Sequence, residues 1–268
     1  MSEVLKMSSY SAYSGTGLDQ IDPFDINDKN LWRKAEYLGR YLFAADFLRI
    51  QNPAVVADIS CGMGYGSLEL SNVAGTVIGV DGNPDLMKLA EQKCSRPNIL
   101  FLHSDLEGNL SLHIRESSVD AVVSFETLEH LVDPHRAVDQ FQRLLRPGGF
   151  FICSVPNVLS ESGDSAGLPR NKSHKQWFNF ASLSRLVQGN GMQVIYRLGQ
   201  SWSKTLFRRE QQLSNAKRIG RKLSDEPGMH ASEMIRWLSY VAAYPSVEDV
   251  DGSYSIIIVA QKNDTKKS

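Results

Sequence analysis

The stretch that decides the fold reads Val55-Val56-Ala57-Asp58-Ile59-Ser60-Cys61-Gly62-Met63-Gly64-Tyr65-Gly66-Ser67. An apolar run without helical periodicity ends here in a carboxylate and a cluster of glycines, and an apolar segment resumes at residues 68–73. This pattern is typical of a buried parallel strand that turns sharply into a helix over a bound ligand. The glycines allow positive φ angles and a close approach of the backbone, and the new helix presents free N–H groups.

The carboxylate of Asp58 distinguishes between the ligands that such turns bind. A pyrophosphate here would lie near Asp58, and at about 5 Å with an effective dielectric of about 20 each like-charge contact costs about 3 kcal/mol. S-adenosylmethionine carries an ammonium and a sulfonium group and no phosphate, so its charges attract the carboxylate. The spacing agrees, because Ser67 occupies the third glycine position of a G-x-G-x-x-G dinucleotide motif.

Length and composition indicate a globular protein. The 268 residues can bury the core of one large domain, with or without a cap, and the 42% hydrophobic fraction is ordinary for a soluble protein. A net charge of −1 argues neither for nor against nucleic acid. The chain has no apolar run of the ~20 residues that a membrane span needs, and residues 1–6 lack the apolar h-region of a signal peptide, so we expect neither feature. Since Cys61, Cys94 and Cys153 lack metal-binding spacing, we expect reduced thiols in a cytoplasmic protein.

Strand and helix patterns alternate along the chain, which predicts an open α/β sheet with right-handed crossovers. Helices are predicted over residues 31–50, 134–146 and 178–187. Two more are predicted, one directly after the glycine turn and one that begins at Pro84. Strands are predicted over 54–59, 76–81, 99–102, 120–125, 150–155, 192–196 and 254–260. Residues 146–149 are predicted to be a turn.

The predicted elements divide the chain into four parts. About 50 residues separate the last two strands, too many for a bare loop, and they contain helical patterns near 204–222 and 230–243. We interpret this insertion as a cap over the site. The expected parts are a flexible arm (1–30), the ligand-binding domain (31–200), the helical cap (201–250), and the final strand with the tail (251–268).

Acidic residues follow successive predicted strands, where ligands bind in parallel sheets. They are Asp58, Asp81, Asp105 and, after Phe125, Glu126. Asp81 lies 23 residues after Asp58, close to the separation at which an acidic residue meets ribose hydroxyls in nucleotide-binding βαβ units.

Several motifs, in order, resemble those of class I S-adenosylmethionine-dependent methyltransferases. The similar stretches are Asp58-Ile59-Ser60-Cys61-Gly62-Met63-Gly64, Val80-Asp81, Ser104-Asp105-Leu106, Phe125-Glu126-Thr127-Leu128-Glu129-His130 and Leu145-Arg146-Pro147-Gly148-Gly149. The resemblance implies a doubly wound, seven-stranded, mostly parallel sheet with an antiparallel last strand, an N-terminal helix and a helical cap insertion. The implied cofactor is S-adenosylmethionine.

The resemblance also implies roles for single residues. The backbone of Ser60, Cys61, Gly62 and Gly64 would hold the methionine moiety, and Asp81, followed by Gly82, would chelate the ribose hydroxyls. Asp105 would accept from the adenine amine next to the Leu106 backbone, while Phe125 would lie beside the cofactor. Arg40 and Tyr41 fall where related chains approach the methionine carboxylate. Ser60 departs from the family, which usually has glycine there, and a serine can serve at this position if its φ is negative.

The group Glu126-x-x-Glu129-His130 allows three interpretations. In the first, Glu126 lines the pocket while Glu129 and His130 orient the backbone. In the second, His130, with Glu126 and His174 nearby, removes the acceptor proton during transfer to a hydroxyl. In the third, Glu126, Glu129, His130 and His174 hold Mg²⁺ or Mn²⁺, since they resemble the ligand set of small-RNA 3′-terminal 2′-O-methyltransferases.

We predict O-methylation of a sugar, a glycan precursor or another small metabolite. Residues 204–222 carry seven basic side chains and one acidic one, which form either a solvated helix face or a contact for an anionic acceptor such as a phosphosugar or nucleotide sugar. The alternatives are a metal-dependent RNA 2′-O-methyltransferase and a non-catalytic S-adenosylmethionine-binding module.

Overall fold

The computed structural model describes residues 21–159, 171–201, 225–226, 228–247 and 250–264. The predicted cap helix near 204–222 and residues 1–20 of the predicted arm lie outside these ranges. Because of this, the proposed division of the chain into arm, domain and cap stays a prediction.

Helices and strands alternate in the described part of the chain, as predicted. The helices are α1 (Leu31–Gln51), α2 (Tyr65–Leu70), α3 (Pro84–Lys93), α4 (Pro134–Leu144), α5 (Phe180–Gly189) and α6 (Ser232–Ala242). The strands are β1 (Val55–Ile59), β2 (Thr76–Asp81), β3 (Ile99–His103), β4 (Val119–Phe125), β5 (Leu145–Pro156), β6 (Met192–Gln200) and β7 (Ser255–Lys262). Short 3₁₀ turns cover Leu110–Leu112 and Leu128–His130.

The strands form one seven-stranded sheet in the order β3-β2-β1-β4-β5-β7-β6. Strands β1 to β5 pair in parallel, whereas β7 is antiparallel to both β5 and β6. This confirms the predicted fold class, including the antiparallel last strand. The strand order reverses between β1 and β4, so a crevice opens beyond their carboxyl ends, where sheets of this type bind ligands.

Apolar side chains cover both faces of the sheet. On one face, Phe141 of α4 and Leu183 of α5 are buried in the larger core. On the other face, Leu48 of α1 and Leu70 of α2 pack against β1, β4 and β7. Helix α6 packs on α1 in a third apolar cluster and extends the second layer outward.

Two predicted boundaries differ from the structure by four residues or more. Residues 146–149 lie within the span of β5. Leu145 pairs with Val119 and Phe150 pairs with Ala121, so the register between β4 and β5 shifts at these residues. The predicted turn is therefore a bulge in the strand. Strand β6 continues to Gln200 rather than ending at 196, because β7 pairs with it as far as Ser255.

The three cysteines are free and buried. No helix within the described ranges is both long and apolar enough to cross a membrane. The cytoplasmic location stays a prediction.

Candidate cofactor and active site

A cavity of about 770 Å³ opens at the carboxyl edge of the sheet, beside the switch between β1 and β4. It is lined by α1, the turns after β1 to β4, residues 171–175 and the start of β7. The predicted site residues in its wall are Arg40, Tyr41, Ser60, Cys61, Gly62, Asp81, Gly82, Asp105, Leu106, Phe125, Glu126, Glu129, His130 and His174. Asp58 and Gly64 are not part of the wall.

The turn after β1 has a left-handed backbone at alternate residues. Ser60, Gly62 and Gly64 have φ angles of 62°, 56° and 82°. Ser60 therefore does not meet the condition of a negative φ, and this serine holds a conformation that costs a non-glycine residue about 1–2 kcal/mol. Gly64 is the N-cap of α2, and a Cβ there would lie 2.7 Å from the ring of Phe101, so the turn admits no side chain at this position.

The carboxylate of Asp58 lies beneath this turn and is fully buried. Its oxygens accept hydrogen bonds from the hydroxyls of Tyr41, at 3.0 Å, and Ser67, at 2.7 Å. Burial raises the pKa of Asp58 to about 7, although these two hydrogen bonds lower it. Asp58 thus organises the turn rather than lining the cavity, so its carboxylate no longer carries the electrostatic argument against a pyrophosphate.

Asp81 presents its carboxylate to the cavity and is only 8% exposed. It accepts the backbone N–H groups of Gly62, at 3.0 Å, and Asn83, at 2.9 Å, which fix its position at the end of β2. Burial raises the pKa of this carboxyl, and the two N–H groups oppose the shift. Each carboxylate oxygen has a second lone pair, so Asp81 can also accept two ribose hydroxyls.

The residues that follow β3 line the cavity with both polar and apolar side chains. Asp105 is exposed and caps its own turn by accepting the N–H of Glu107 at 3.0 Å, while Leu106 is buried. An apolar side chain beside a carboxylate suits the face and the amine of an adenine. Together with Asp81 and the narrow glycine turn, these residues fit S-adenosylmethionine.

Arg40 and Glu126 face each other across the cavity wall. Arg40 is 2% exposed, and its Nη1 lies 3.8 Å from Oε1 of Glu126. The same carboxylate oxygen accepts the hydroxyl of Ser154 at 2.7 Å. Glu126 has a φ of 50°, so non-glycine residues occupy the left-handed region after both β1 and β4, at the switch point of the sheet. Backbone strain of this kind clusters at functional sites.

Glu129, His130 and His174 meet at the other end of the cavity. Their candidate ligand atoms lie within 4.8 Å of one another, and the two imidazole rings are 4.9 Å apart at 77°. Glu126 is not part of this cluster, so the structure brings together three of the four residues of the predicted metal set. Nε2 of His130 lies 3.9 Å from Oε1 of Glu129.

Sequence reasoning missed the inner face of α1 and its partner Tyr254, the residue before β7. Glu36 and Tyr37 also line the cavity, and Tyr254 donates its hydroxyl to Glu36 at 2.9 Å. Burial raises the pKa of Glu36 to about 7, against the effects of Arg40 and Tyr254. The available signal was the spacing of Arg33, Glu36, Tyr37 and Arg40, since positions i, i+3, i+4 and i+7 share one helix face.

Known proteins resemble the chain in sequence. A family model described as a methyltransferase domain matches residues 57–153. A probable S-adenosylmethionine-dependent methyltransferase of Mycolicibacterium smegmatis is 37% identical over 145 residues, 54% of either chain. A ubiquinone biosynthesis O-methyltransferase of Dinoroseobacter shibae is 30% identical over 198 residues, which cover 63% of this chain and 77% of the relative. The chain spans about half the length of the first curated relatives that it matches.

A solved structure resembles the chain in fold. A chain of the complex between the Haloferax volcanii Trm112 methyltransferase activator and a methyltransferase superposes with a TM-score of 0.56 at 19% identity, over 91% of this chain and 99% of that one. This likeness concerns the fold alone. The sequence relatives indicate the family, and the sheet order, the glycine turn after β1 and this likeness in fold agree with it. The chain belongs to the class I S-adenosylmethionine-dependent methyltransferases.

Proposed function

We propose that this protein transfers a methyl group from S-adenosylmethionine to a hydroxyl group of a small acceptor. The D. shibae relative is named an O-methyltransferase, which supports oxygen as the acceptor atom. The observation that carries the proposal is the placement of His130 in the same cavity wall as Asp81 and Gly62.

The hydrogen bonds around His130 assign its tautomer. Nδ1 lies 3.1 Å from the carbonyl oxygen of Ser173, which can only accept, so Nδ1 carries the proton. Nε2 is therefore the basic nitrogen. The carboxylate of Glu129, 3.9 Å from Nε2, stabilises the imidazolium that forms when this nitrogen takes up a proton.

This arrangement lets the protein remove the acceptor proton during an O-methylation. Bound S-adenosylmethionine would supply an electrophilic methyl group, with S-adenosylhomocysteine as the leaving group. His130 removes the proton of the acceptor hydroxyl as its oxygen forms the new bond, while Glu129 balances the charge. Much of the rate in such a displacement comes from positioning, which the buried cavity walls supply.

The cavity favours a polar acceptor. Glu36 and Tyr254 can bind hydroxyl groups, and Arg33 and Lys175 place two cationic side chains in the wall. These groups suit a sugar, a glycan precursor or a similar metabolite, including one with a phosphate. The predicted basic segment 204–222 lies outside the described residues, so it supports neither an acceptor with a phosphate nor one without.

The test measures transfer of a labelled methyl group to a panel of hydroxylated sugars, phosphosugars and phenols. His130→Asn is expected to lower kcat by about 10²–10⁴-fold without changing the affinity for S-adenosylhomocysteine. His135→Asn, an exposed histidine on α4, is the matched control and should be silent. Cofactor binding without transfer to any acceptor would support a non-catalytic module, whereas transfer only to RNA ends would support the RNA enzyme.

A second candidate is a metal-dependent reaction, favoured by the cluster of Glu129, His130 and His174. The hydrogen bonds weigh against it. Oδ1 of Asn171 accepts from the N–H and hydroxyl of Ser173, so its Nδ2 donates to Nε2 of His174 at 2.9 Å and occupies that lone pair. We expect activity to survive EDTA. Loss of activity in EDTA, with recovery in Mg²⁺ or Mn²⁺ but not in a Glu129→Gln variant, would instead establish the metal.

A further inference from the structure

The side chain of Gln200, the last residue of β6, connects this strand to α1 and to the end of α6. The side chain is fully buried. Its Nε2 donates to the carbonyl oxygens of Glu36, at 2.9 Å, and Ala243, at 2.5 Å, so it ties α1 to the end of α6. Its Oε1 accepts from Nη1 of Arg40 at 2.8 Å.

These partners permit only one orientation of the amide. Carbonyl oxygens only accept hydrogen bonds, and an arginine only donates them. The amide nitrogen must therefore face Glu36 and Ala243, and the amide oxygen must face Arg40. A buried amide with all these bonds satisfied is a rigid support.

Gln200 occupies only one nitrogen of the Arg40 guanidinium. Nε and Nη2 make no hydrogen bond to any residue in the described ranges, although the side chain is 2% exposed and lines the cavity. Guanidinium N–H groups that line a cavity without a protein partner are available to a ligand, because arginine only donates. A guanidinium edge matches the two oxygens of a carboxylate.

Glu126 competes for the same guanidinium. Its Oε1 lies 3.8 Å from Nη1 of Arg40, farther than a hydrogen bond, and is held by Ser154. If the support from Gln200 were lost, Nη1 would be drawn toward Glu126, because opposite charges in a buried site attract strongly. The guanidinium would then rotate away from its ligand-binding position.

We propose that Gln200 is a positioning residue that holds Arg40 in place to bind the carboxylate of the methionine moiety of S-adenosylmethionine. The inference rests on the proposed function only in taking this cofactor as the ligand. It also makes cofactor affinity depend on the packing of α1 against α6, since the same amide joins both helices.

The experiment compares two ligands that differ in the amino-acid group. S-adenosylhomocysteine carries the carboxylate and 5′-methylthioadenosine does not, while both carry the adenosine and a thioether. Gln200→Met is expected to weaken S-adenosylhomocysteine at least about tenfold, as for a charged hydrogen bond, and to leave 5′-methylthioadenosine within about twofold. Gln188→Met, on the exposed side of α5, should change neither dissociation constant.

A double-mutant cycle tests whether Gln200 acts through Arg40. Arg40→Met should cause the same selective loss, and the double variant should add little to it. Equal weakening of both nucleosides by Gln200→Met would mean a merely structural role and would overturn the proposal. So would additive losses in the double variant.

Arg40→Lys keeps Gln200 and covers the case in which Gln200→Met does not fold. Lysine keeps the charge but loses the guanidinium edge, so selectivity for S-adenosylhomocysteine over 5′-methylthioadenosine should fall. Unchanged selectivity would overturn the proposal. If the unaltered protein binds both nucleosides but methylates nothing, the proposed O-methylation fails while the role of Gln200 stands. If it binds neither, both fail.

Discussion

The hydroxyl of Tyr41 donates a hydrogen bond of 3.0 Å to the fully buried carboxylate of Asp58. This bond joins α1 to the end of β1 beneath the glycine turn. Ser67 of α2 donates to the other carboxylate oxygen, so one acidic side chain organises three consecutive elements. The cofactor turn is therefore held from below by a carboxylate that does not line the cavity.

Removing the Tyr41 hydroxyl should destabilise the protein more at high pH than at low pH. The folded pKa of Asp58 is about 7, above its ordinary 3.8, so the folded state binds more protons between these values and stability falls as pH rises. The hydroxyl offsets part of this loss, because it favours the charged form. We expect Tyr41→Phe to lower the free energy of unfolding by about 1 kcal/mol at pH 5 and by about 2 kcal/mol at pH 8.

Urea unfolding at both pH values measures this difference. Glu36 also has a folded pKa of about 7, which adds a pH dependence of the same sign to the unaltered protein. The control is therefore the same substitution in an Asp58→Asn background, where its cost should not vary with pH. An equal cost at pH 5 and pH 8 in the Asp58 protein would contradict the assignment.

Gly66→Ala should weaken both the fold and cofactor binding. A Cβ at this position would lie 2.1 Å from ring atoms of Tyr41, so the ring must move and the bond to Asp58 must break. We expect a loss of about 1–3 kcal/mol, as for overpacking a core. Thermal unfolding and titration with S-adenosylhomocysteine measure the two effects.

The matched control for this variant is Gly189→Ala at the end of α5. A Cβ at Gly189 meets no atom within 4 Å, and alanine is the better helix residue, so stability should rise by about 0.5–1 kcal/mol. Opposite signs for the same substitution would show that the contact with Tyr41, rather than helix propensity, decides the result at Gly66. A stabilised Gly66→Ala protein would contradict the packing that we describe.

The fold was predictable because its signals are local. Each strand is a short apolar run. Two helix starts are marked by a capping side chain followed by a proline, at Asn83-Pro84 and at Asp133-Pro134. The cofactor turn was predictable for the same reason, since glycines and carboxylates mark the strand ends in the sequence itself.

The support of the site was not predictable, because it depends on contacts between distant residues. Gln200 reaches Arg40 across 160 residues, and Tyr254 reaches Glu36 across 218. No periodicity or motif encodes such a pair. The burial that turned Asp58 from a ligand contact into a support is also a property of packing, and the residue type alone does not reveal it.

Ser60→Gly should stabilise the protein. The serine holds a φ of 62°, and glycine relieves a strain of about 1–2 kcal/mol but loses part of the gain to the greater freedom of the unfolded chain. We expect a net increase of about 0.5–1 kcal/mol in the free energy of unfolding. Ser117→Gly, at a φ of 53° on an exposed turn away from the cavity, should give a similar increase.

The two serines should differ in cofactor binding. Ser60 lines the cavity and Ser117 does not, so only Ser60→Gly can change the affinity for S-adenosylhomocysteine. A decrease in affinity with increased stability would show that the strained serine is retained for ligand contact. Loss of stability in Ser60→Gly, beside a gain in Ser117→Gly, would refute the strain at Ser60.

Arg236→Met should loosen α6 from the cofactor domain. Arg236 makes two hydrogen bonds to Glu69 of α2, at 2.9 and 2.5 Å, and Glu69 is 5% exposed. Removing the cation leaves a buried carboxylate without its partner near the end of α2. Because Arg236 itself is partly exposed, we expect a loss of about 1–3 kcal/mol, below that of a fully buried pair.

The control is Arg143→Met, which removes a surface ion pair with Asp139 on α4. That pair is exposed on both sides and should contribute less than about 0.5 kcal/mol. Raising the ionic strength should leave the Arg236 effect largely intact, because buried pairs are screened less than exposed ones. If Arg236→Met cost no more than Arg143→Met, the Glu69 contact would not be what fastens α6 to α2, and the docking of that helix would rest on its apolar contacts with α1.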